Sequence, residues 1–172
     1  LAQGKGVVVT HNLAQAQKTV HDFLMNPECN VKTDKILIEE KLEGDELSVF
    51  ALCDGQNYKI LGHACDYKQL QDGDFGPNTG GMGAFIPRDW PNDQLKNQIE
   101  HEIIMPILSG MNADEKPFKG ILFLGLMVKE NRAQVIEFNV RLGDPEAQVV
   151  LPAYQGNLLQ DFKDAANGKL QT

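Results

Sequence analysis

Two pairs of strand-forming segments, each joined by a short polar turn, constrain the fold of this chain more than any other feature. Residues 47–53 and 58–64 flank an Asp-Gly turn signal, and residues 121–128 and 133–142 flank a short polar and charged segment. Strands with such short connections pair in an antiparallel manner. Because segments with helical periodicity surround both pairs, we predict the α+β class, with antiparallel strands covered by helices, rather than a parallel doubly wound sheet.

The other elements are predicted from local patterns. Strands are expected at residues 7–9 and 36–39, where β-branched and other apolar residues cluster. Asn12 is the expected N-cap of a first helix. A second helix begins near Asp93, and a last helix runs over residues 157–167.

Composition excludes several classes of partner. The chain of 172 residues has 24 acidic and 16 basic residues, a formal charge of −8, which argues against a nucleic-acid or anionic membrane surface. No apolar run approaches the roughly 20 residues that cross a bilayer, so no membrane segment is expected. The negative charge favours a small-molecule partner. The 3 cysteines lack metal-ligand or disulfide spacing, which fits a reducing cytoplasm. The start at Leu1, without an initiating methionine, suggests a fragment.

The most informative segment is residues 135–142, because its alternation separates two kinds of side chain. Period two places Glu137, Asn139 and Arg141 on one face. The apolar residues on the other face are Ile136, Phe138, Val140 and Leu142, and this face is expected to pack in the core. A carboxylate and an amide oxygen can share Mg²⁺, and a guanidinium can hold a phosphate. An edge strand with a solvated face is the alternative interpretation of the same spacing.

Two glycine-rich segments have the composition of anion or ligand loops. Gly4, Lys5 and Gly6 could wrap backbone N–H groups around a triphosphate, although this signal alone favours an ordinary turn. They are not a Walker loop, because a strand follows them. Residues 66–87 lack periodicity and predict a long ordered or gated loop. Its glycines at 76–83 favour close approach of the backbone to a ligand, and a floppy loop is the alternative.

The acidic residues 39–46 follow a short apolar segment. They could form a hinge whose main chain meets an adenine edge, with a carboxylate beyond it for ribose hydroxyls. A solvated acidic turn is the other interpretation, and we accept it for the side chains of Glu43 and Asp45.

Four strings together resemble the phosphoribosylamine–glycine ligase family of ATP-grasp enzymes. They are residues 1–7, 38–44, 73–83 and 137–146, with GPNTGGMG and EFNVRLGDPE as the most specific parts. The resemblance implies an ATP-grasp fold of two lobes, residues 1–64 and 65–172, with a nucleotide cleft between them. It also implies that ATP, with Mg²⁺ or Mn²⁺, converts glycine into glycyl phosphate, which 5-phosphoribosylamine attacks to give glycinamide ribonucleotide, ADP and phosphate.

The resemblance also assigns roles to individual residues. The expected nucleotide-binding residues are Gly4, Lys5 and Gly6 over the triphosphate, Glu39, Glu40 and Leu42 at the adenine hinge, Glu46 at the ribose and Lys68 facing phosphate. Glu137 and Asn139 match the metal ligands, and Arg141 matches the catalytic arginine beside the acyl phosphate. The residues expected to hold glycine and 5-phosphoribosylamine are Asn78, Thr79, Gly80, Gly81, Met82, Asp144, Pro145 and Glu146.

Three departures from the family pattern qualify these expectations. Tyr67 and Gln69 stand where the family usually has His and Arg, so no role is carried over to them. Leu124-Gly125-Leu126 supplies no additional acidic metal ligand. The family's N- and C-terminal domains, with an upstream nucleotide-binding lysine, are missing, which predicts little activity for this chain alone. A non-catalytic nucleotide-binding module is the alternative function.

Overall fold

A computed structural model describes residues 6–31, 33–73, 75–88 and 91–171, with only the backbone at Pro77 and Asn78. The chain divides into two compact units, Leu1–Leu42 and Glu43–Thr172. The division thus comes earlier than the predicted boundary between residues 64 and 65, which lies inside a continuous strand. The nucleotide cleft between two lobes stays a prediction.

The second unit is built on one five-stranded sheet in which every neighbouring pair is antiparallel. Its strands are β1 (Asp45–Asp54), β2 (Tyr58–Gln71), β3 (Phe75–Phe85), β4 (Lys119–Lys129) and β5 (Arg132–Asn139). Their order in the sheet is β3-β2-β1-β4-β5. The two predicted hairpins are therefore confirmed as β1 with β2 and β4 with β5, and their first strands lie side by side at the centre of the sheet.

The predicted loop at residues 66–87 is instead mostly a β-hairpin, so that prediction was wrong. β2 continues to Gln71, and β3 pairs with it through a register that shifts twice, between Tyr67 and Gln69 and again between Gln69 and Gln71. Glycines remove the side-chain alternation by which a strand is recognised in sequence, but their backbones still donate and accept in the ladder. Gly73, with φ of 74°, turns the chain between the two strands.

The helices of the second unit cover both sides of the sheet. They are α2 (Asp93–Gln98), a π-helical segment (Ile99–Ile104), α3 (Met105–Ala113), α4 (Ala147–Ala153) and α5 (Leu158–Asn167). The helices expected near residues 93 and 157 are confirmed, whereas α4 was not predicted. Pro106, in the first turn of α3, lacks the N–H that would continue a regular α-helical ladder. Among the described residues, no helix has both the length and the apolar character needed to cross a membrane.

The core lies on both faces of β1. Leu47 and Val49 pack with Leu95 and Ile99 of the α2 region on one face, while Phe50 packs with residues of α4 and α5 on the other. Each residue from position 47 to position 54 is therefore buried. A strand buried on both faces holds its neighbours rigidly, which suits it to position side chains near its end.

The first unit contains a helix without a core. Asn12 caps α1 (Leu13–Met25), because its side chain accepts a hydrogen bond from the Gln15 N–H at 2.9 Å, and no residue of α1 is buried. The predicted strands at residues 7–9 and 36–39 are not formed in the described part of this unit. Leu37 and Ile38 are 79% and 80% exposed. A strand requires a partner for its backbone and an apolar face to cover, and short β-branched runs supply neither by themselves.

Candidate functional site

Polar side chains from three strands share one face of the sheet in the second unit. Ser48 of β1 pairs with Gly125 of β4, and Gly125 pairs with Glu137 of β5, so Ser48 and Glu137 lie in one row across the sheet. Because side chains alternate along each strand, residues at even spacing from this row lie on the same face. The set, called the polar face below, comprises Glu46, Ser48, Asp66, Lys68, Glu137 and Asn139.

Glu137 and Asn139 lie side by side, as the sequence predicts. The Asn139 side-chain amide donates to Glu137 Oε1 at 2.9 Å. Gly125 makes room for this pair, since a Cβ built there would lie 3.2 Å from Glu137 Cγ. Residue 125, which lacks an acidic side chain, is therefore the position over which Glu137 extends. A Cβ at this position would require the Glu137 side chain to shift by a few tenths of an ångström.

A β-bulge changes what surrounds the pair. Gly125 pairs with Glu137 but Leu126 pairs with Val135, so Ile136 is an extra residue in β5. The prediction that the alternate residues form a core face was wrong: Ile136 and Phe138 are 41% and 42% exposed. β5 is an edge strand of the sheet, and α2 meets it near its start, where the Gln98 side chain exchanges hydrogen bonds with the Ala133 backbone.

Arg141 is not part of the strand. β5 ends at Asn139, and the Arg141 side chain is exposed, with its guanidinium Nη1 donating to the Leu142 carbonyl at 3.0 Å. The structure therefore brings Glu137 and Asn139 together but does not extend their row to Arg141. The sequence pattern predicted too long a strand, because residues 140–142 continue the alternation of polar and apolar residues after the pairing with β4 has ended.

Lys68 is the cation of the polar face. Its ammonium donates to Glu46 and lies 3.9 Å from Asp66 Oδ1. Burial would lower the pKa of Lys68, but the hydrogen bond and charge of Glu46, with smaller contributions from Asp66 and Glu137, raise it above its usual value. Lys68 is therefore charged at neutral pH, and 43% of its side chain is exposed. Such an ammonium can meet a phosphate.

Glu146 is buried beneath the turn that follows β5. Only 4% of Glu146 and 5% of Ser48 are exposed, and the Ser48 hydroxyl donates to Glu146 Oε1 at 3.3 Å. The Glu146 carboxylate also lies against Gly143, where a Cβ would displace it. The turn containing Asp144 and Pro145 is thus tied to the centre of the sheet through a buried hydrogen bond.

The glycine-rich strand β3 meets this same turn. A Cβ on Gly81, whose φ is 130°, would lie 2.5 Å from Pro145 Cδ and 3.2 Å from the Asp144 carbonyl oxygen. Only glycine allows that approach. Thr79 Oγ1 donates to the Lys68 carbonyl at 2.8 Å and accepts from the Gly81 N–H at 3.1 Å. The two most specific sequence strings therefore touch each other beside Lys68.

The other predicted site residues have less defined surroundings. Gly80 has open space around its α-carbon, and Met82 is 55% exposed. In the first unit, Gly6 lies in a turn, Glu39 and Glu40 are exposed, and Leu42 is half-buried. Gly4, Lys5 and the side chain of Asn78 lie outside the described residues.

Tyr67, which stands where the family usually has His, lies on the opposite side of β2 from Lys68. The Tyr67 ring stacks on Phe85 at a centroid distance of 5.4 Å, on the face to which alternation directs residues 65 and 67. Tyr67 therefore adds to the packing of the β2–β3 hairpin and leaves the polar face unchanged.

Sequence reasoning missed three residues of this site. Ser48 is a single hydroxyl in a buried apolar strand, Gly125 interrupts another, and Asp66 lies within a stretch interpreted as loop. An isolated polar or glycine residue inside an otherwise apolar strand is a usable signal, because it is unfavourable there without a partner or a close neighbour.

Comparison with known proteins identifies the family of this chain. Residues 1–147 match the family model described as Phosphoribosylglycinamide synthetase, ATP-grasp (A) domain. The chain is 42% identical over 171 residues to a phosphoribosylamine–glycine ligase of Chlorobaculum tepidum, covering 99% of this chain and 40% of that protein. It is also 42% identical to a ligase of the same name from Vigna unguiculata, covering 99% of this chain and 55% of that protein.

A solved structure gives the same result. The crystal structure of the Thermotoga maritima phosphoribosylamine–glycine ligase superimposes with a TM-score of 0.88 at 35% identity, covering 98% of this chain and 42% of that one. The antiparallel sheet with helices is therefore an ATP-grasp fold, as predicted. The chain spans about two fifths to just over half of the length of these relatives.

Proposed function

This chain belongs to the Phosphoribosylglycinamide synthetase, ATP-grasp (A) domain family, and from that premise we propose that it is the ATP-binding part of a ligase that joins glycine to 5-phosphoribosylamine. The relatives named above carry the name of that ligase. Its place of action would be the cytoplasm, in purine biosynthesis. The N- and C-terminal domains of the same enzyme would complete the active site, so this chain alone should show little turnover.

One observation carries the proposal: a paired carboxylate and amide, Glu137 and Asn139, share a sheet face with a charged Lys68. Oxygen ligands in a pair suit a hard cation that also takes phosphate oxygens, which is how proteins commonly hold Mg²⁺ with nucleotides. Among the described residues, no group of three or more His, Cys, Asp or Glu is placed to hold a metal ion. In this proposal the Glu137–Asn139 pair shares its cation with phosphate oxygens of the nucleotide.

In the proposed reaction, the carboxylate of glycine attacks the γ-phosphorus of ATP, and ADP leaves. The amine of 5-phosphoribosylamine then attacks the acyl carbon of glycyl phosphate, and phosphate leaves with the bonding pair. Glu137 and Asn139 would hold Mg²⁺ or Mn²⁺, which supplies positive charge to the phosphate oxygens when bound. Lys68 would contribute a second positive charge from β2, and Glu46 would accept from the ribose hydroxyls.

The remaining residues would orient the substrates. Arg141 has an exposed guanidinium whose fork can contact two oxygens of the acyl phosphate, once it exchanges its present contact with the Leu142 carbonyl. The turn at Asp144 and Pro145 is held firmly by Glu146 and by the approach of Gly81, so its polar groups would have fixed positions toward glycine and 5-phosphoribosylamine. The adenine and triphosphate would be held by residues of the first unit.

The test replaces Glu137 by Gln in the complete enzyme and measures ADP formation that depends on both glycine and 5-phosphoribosylamine. We expect kcat/KM to fall by at least about 10²-fold, since a ligand of the charge-stabilising cation is lost. Glu130→Gln is the matched control, because it removes the same charge from the exposed turn of the same hairpin and should leave the rate unchanged.

Two results would contradict the proposal. Equal rates for the Glu137 and Glu130 variants would show that the Glu137–Asn139 pair takes no part in the reaction. ATP binding without any glycine-dependent ADP formation, in the complete enzyme, would leave a nucleotide-binding module instead of a ligase.

A further inference from the structure

Lys68 has two carboxylates within reach, and only one of them accepts its hydrogen bond. The Lys68 ammonium donates to Glu46, while Asp66 Oδ1 is 3.9 Å away, beyond direct hydrogen-bond distance. We propose that Asp66 is a positioning residue. It accepts the hydrogen bond of the Lys68 ammonium when Glu46 turns to the ribose of a bound nucleotide. This inference rests on the proposed function, in which Glu46 meets the ribose.

The surroundings of the three side chains favour such an exchange. Asp66 has only 5% of its side chain exposed, whereas Glu46 and Lys68 have 40% and 43% exposed. Glu46 is therefore accessible to a ligand, whereas Asp66 is buried next to the Lys68 ammonium. The Lys68 backbone is held by the hydrogen bond from Thr79 Oγ1 to its carbonyl, so its side chain can move while its α-carbon stays in place.

Charge explains why a second partner is needed. Burial disfavours the ammonium of Lys68, and Glu46 is the main group that compensates. If Glu46 moves to a ligand, Lys68 loses its hydrogen bond and requires another acceptor. Asp66 is the nearby carboxylate, and it would keep the ammonium charged and directed along the polar face toward phosphate.

Asp66 is an unfavourable residue in the absence of a ligand. Burial raises its pKa, Lys68 opposes the rise, and the charges of Glu146 and Glu46 add to it, so that the net pKa lies above the usual value. A buried carboxylate under these conditions contributes little to the stability of the free chain. Groups placed at such a disadvantage are common where they serve binding or catalysis.

The first experiment needs no ligand. Melting temperatures are measured for Asp66→Asn in the wild-type chain, in a Glu46→Ala background and in a Glu46→Ala, Lys68→Met background. We expect Asp66→Asn to lower the melting temperature by about 2–4 °C more in the Glu46→Ala chain than in the wild type, because Lys68 has by then moved to Asp66. The additional loss should vanish once Lys68 is replaced.

The control is Asp72→Asn, which removes the same charge from the exposed turn of the β2–β3 hairpin. Its effect should be equal in all three backgrounds. An equal effect of Asp66→Asn in the wild-type and Glu46→Ala chains would overturn the exchange, since a purely structural aspartate would not depend on Glu46.

The second experiment compares Mg²⁺·ATP with Mg²⁺·tripolyphosphate, which has no ribose, by calorimetric titration of the complete enzyme. We expect Asp66→Asn to weaken ATP binding about tenfold, the scale of one charged hydrogen bond, and to change tripolyphosphate binding by less than about twofold. Equal weakening of both ligands would contradict the exchange. If the complete wild-type enzyme binds neither ligand, ATP binding fails as a proposal, and the melting experiment still decides the role of Asp66.

Discussion

Every residue at positions 47–54 of β1 is buried, whereas no residue of α1 in the first unit is buried. Both segments have regular apolar patterns in sequence, and both form the secondary structure that was predicted for them. They differ in what surrounds them: β1 has a hydrogen-bonded strand on each side and helices over both faces. In these two segments, secondary structure follows local pattern, while burial follows the presence of partners.

The comparison also explains the missing strands of the first unit. Residues 7–9 and 36–39 are as rich in apolar residues as parts of β4, but Val7 is 74% exposed and Leu37 is 79% exposed. Extended segments gain little unless a neighbouring strand satisfies their N–H and C=O groups. We expect the second unit to carry most of the free energy of unfolding of this chain.

The largest effect should separate two matched leucines. Leu124→Ala removes a side chain that is fully buried in β4, and it should lower the free energy of unfolding by about 2–5 kcal/mol because a cavity replaces packed atoms. Leu37→Ala makes the same chemical change at a site that is 79% exposed, and it should stay within about 0.5 kcal/mol. Urea unfolding of both variants measures this difference, and equal losses would show that the first unit has a core of its own.

A smaller effect should separate two aspartates whose pKa values are both lowered by a lysine. The Asp161 carboxylate accepts from Lys59 at 2.7 Å and from the Tyr154 hydroxyl at 2.6 Å, and its side chain is 11% exposed. Asp161→Asn should therefore cost about 1.5–3 kcal/mol at pH 7. Asp22→Asn breaks a pair with Lys18 on the exposed helix α1, and we expect almost no change.

The pH dependence of the Asp161 variant gives a further check. The hydrogen bond from Lys59 holds the pKa of Asp161 below its usual value, so the stabilisation is fully present above that usual value and is lost as the pH falls through the lower, folded-state pKa. The gap in stability between the wild type and Asp161→Asn should thus close below about pH 4. A gap that stays constant through this range would exclude the ion pair as its source.

The smallest effect concerns two helix caps of the same type. The Asn157 side chain accepts from the Gln160 N–H at 3.1 Å at the start of α5, and Asn12 accepts from the Gln15 N–H at the start of α1. Asn157→Ala should lower the free energy of global unfolding by about 1 kcal/mol. Asn12→Ala should leave global unfolding unchanged and instead speed amide hydrogen exchange within α1. A global loss from Asn12→Ala would show that both units unfold together.

Much of the fold could be predicted because its signals are local. The caps at Asn12 and Asn157 and the two short-turn hairpins each depend on residues close together in the chain. The hairpin at residues 66–87 was missed because glycines conceal alternation, and α4 was missed because residues 147–153 carry no cap signal; the N-cap position, Glu146, makes no side-chain cap hydrogen bond.

The same holds for the candidate site, where only contacts between residues close in the chain could be predicted. Glu137 and Asn139 are two residues apart, so strand geometry alone brings them together, and the structure confirms that proximity. Ser48 could not be placed, because its partner Glu146 lies beyond β5. Asp66 was missed because residues 66–71 were interpreted as part of a loop and instead belong to β2. Their importance depends on register, which no local pattern states.

The sequence by itself determined the α+β class, the two antiparallel hairpins and the adjacency of the Glu137–Asn139 pair, since each follows from bonds between residues near in the chain. Only the tertiary structure decided that β5 ends at Asn139, that Gly81 lies against Pro145, and that Lys68 stands between Glu46 and Asp66. These arrangements depend on a β-bulge, on close approach of two backbone segments and on the pairing of strands that are distant in sequence. Their physical basis is packing between segments that are far apart in the chain, and such packing is settled only when the whole sheet has formed.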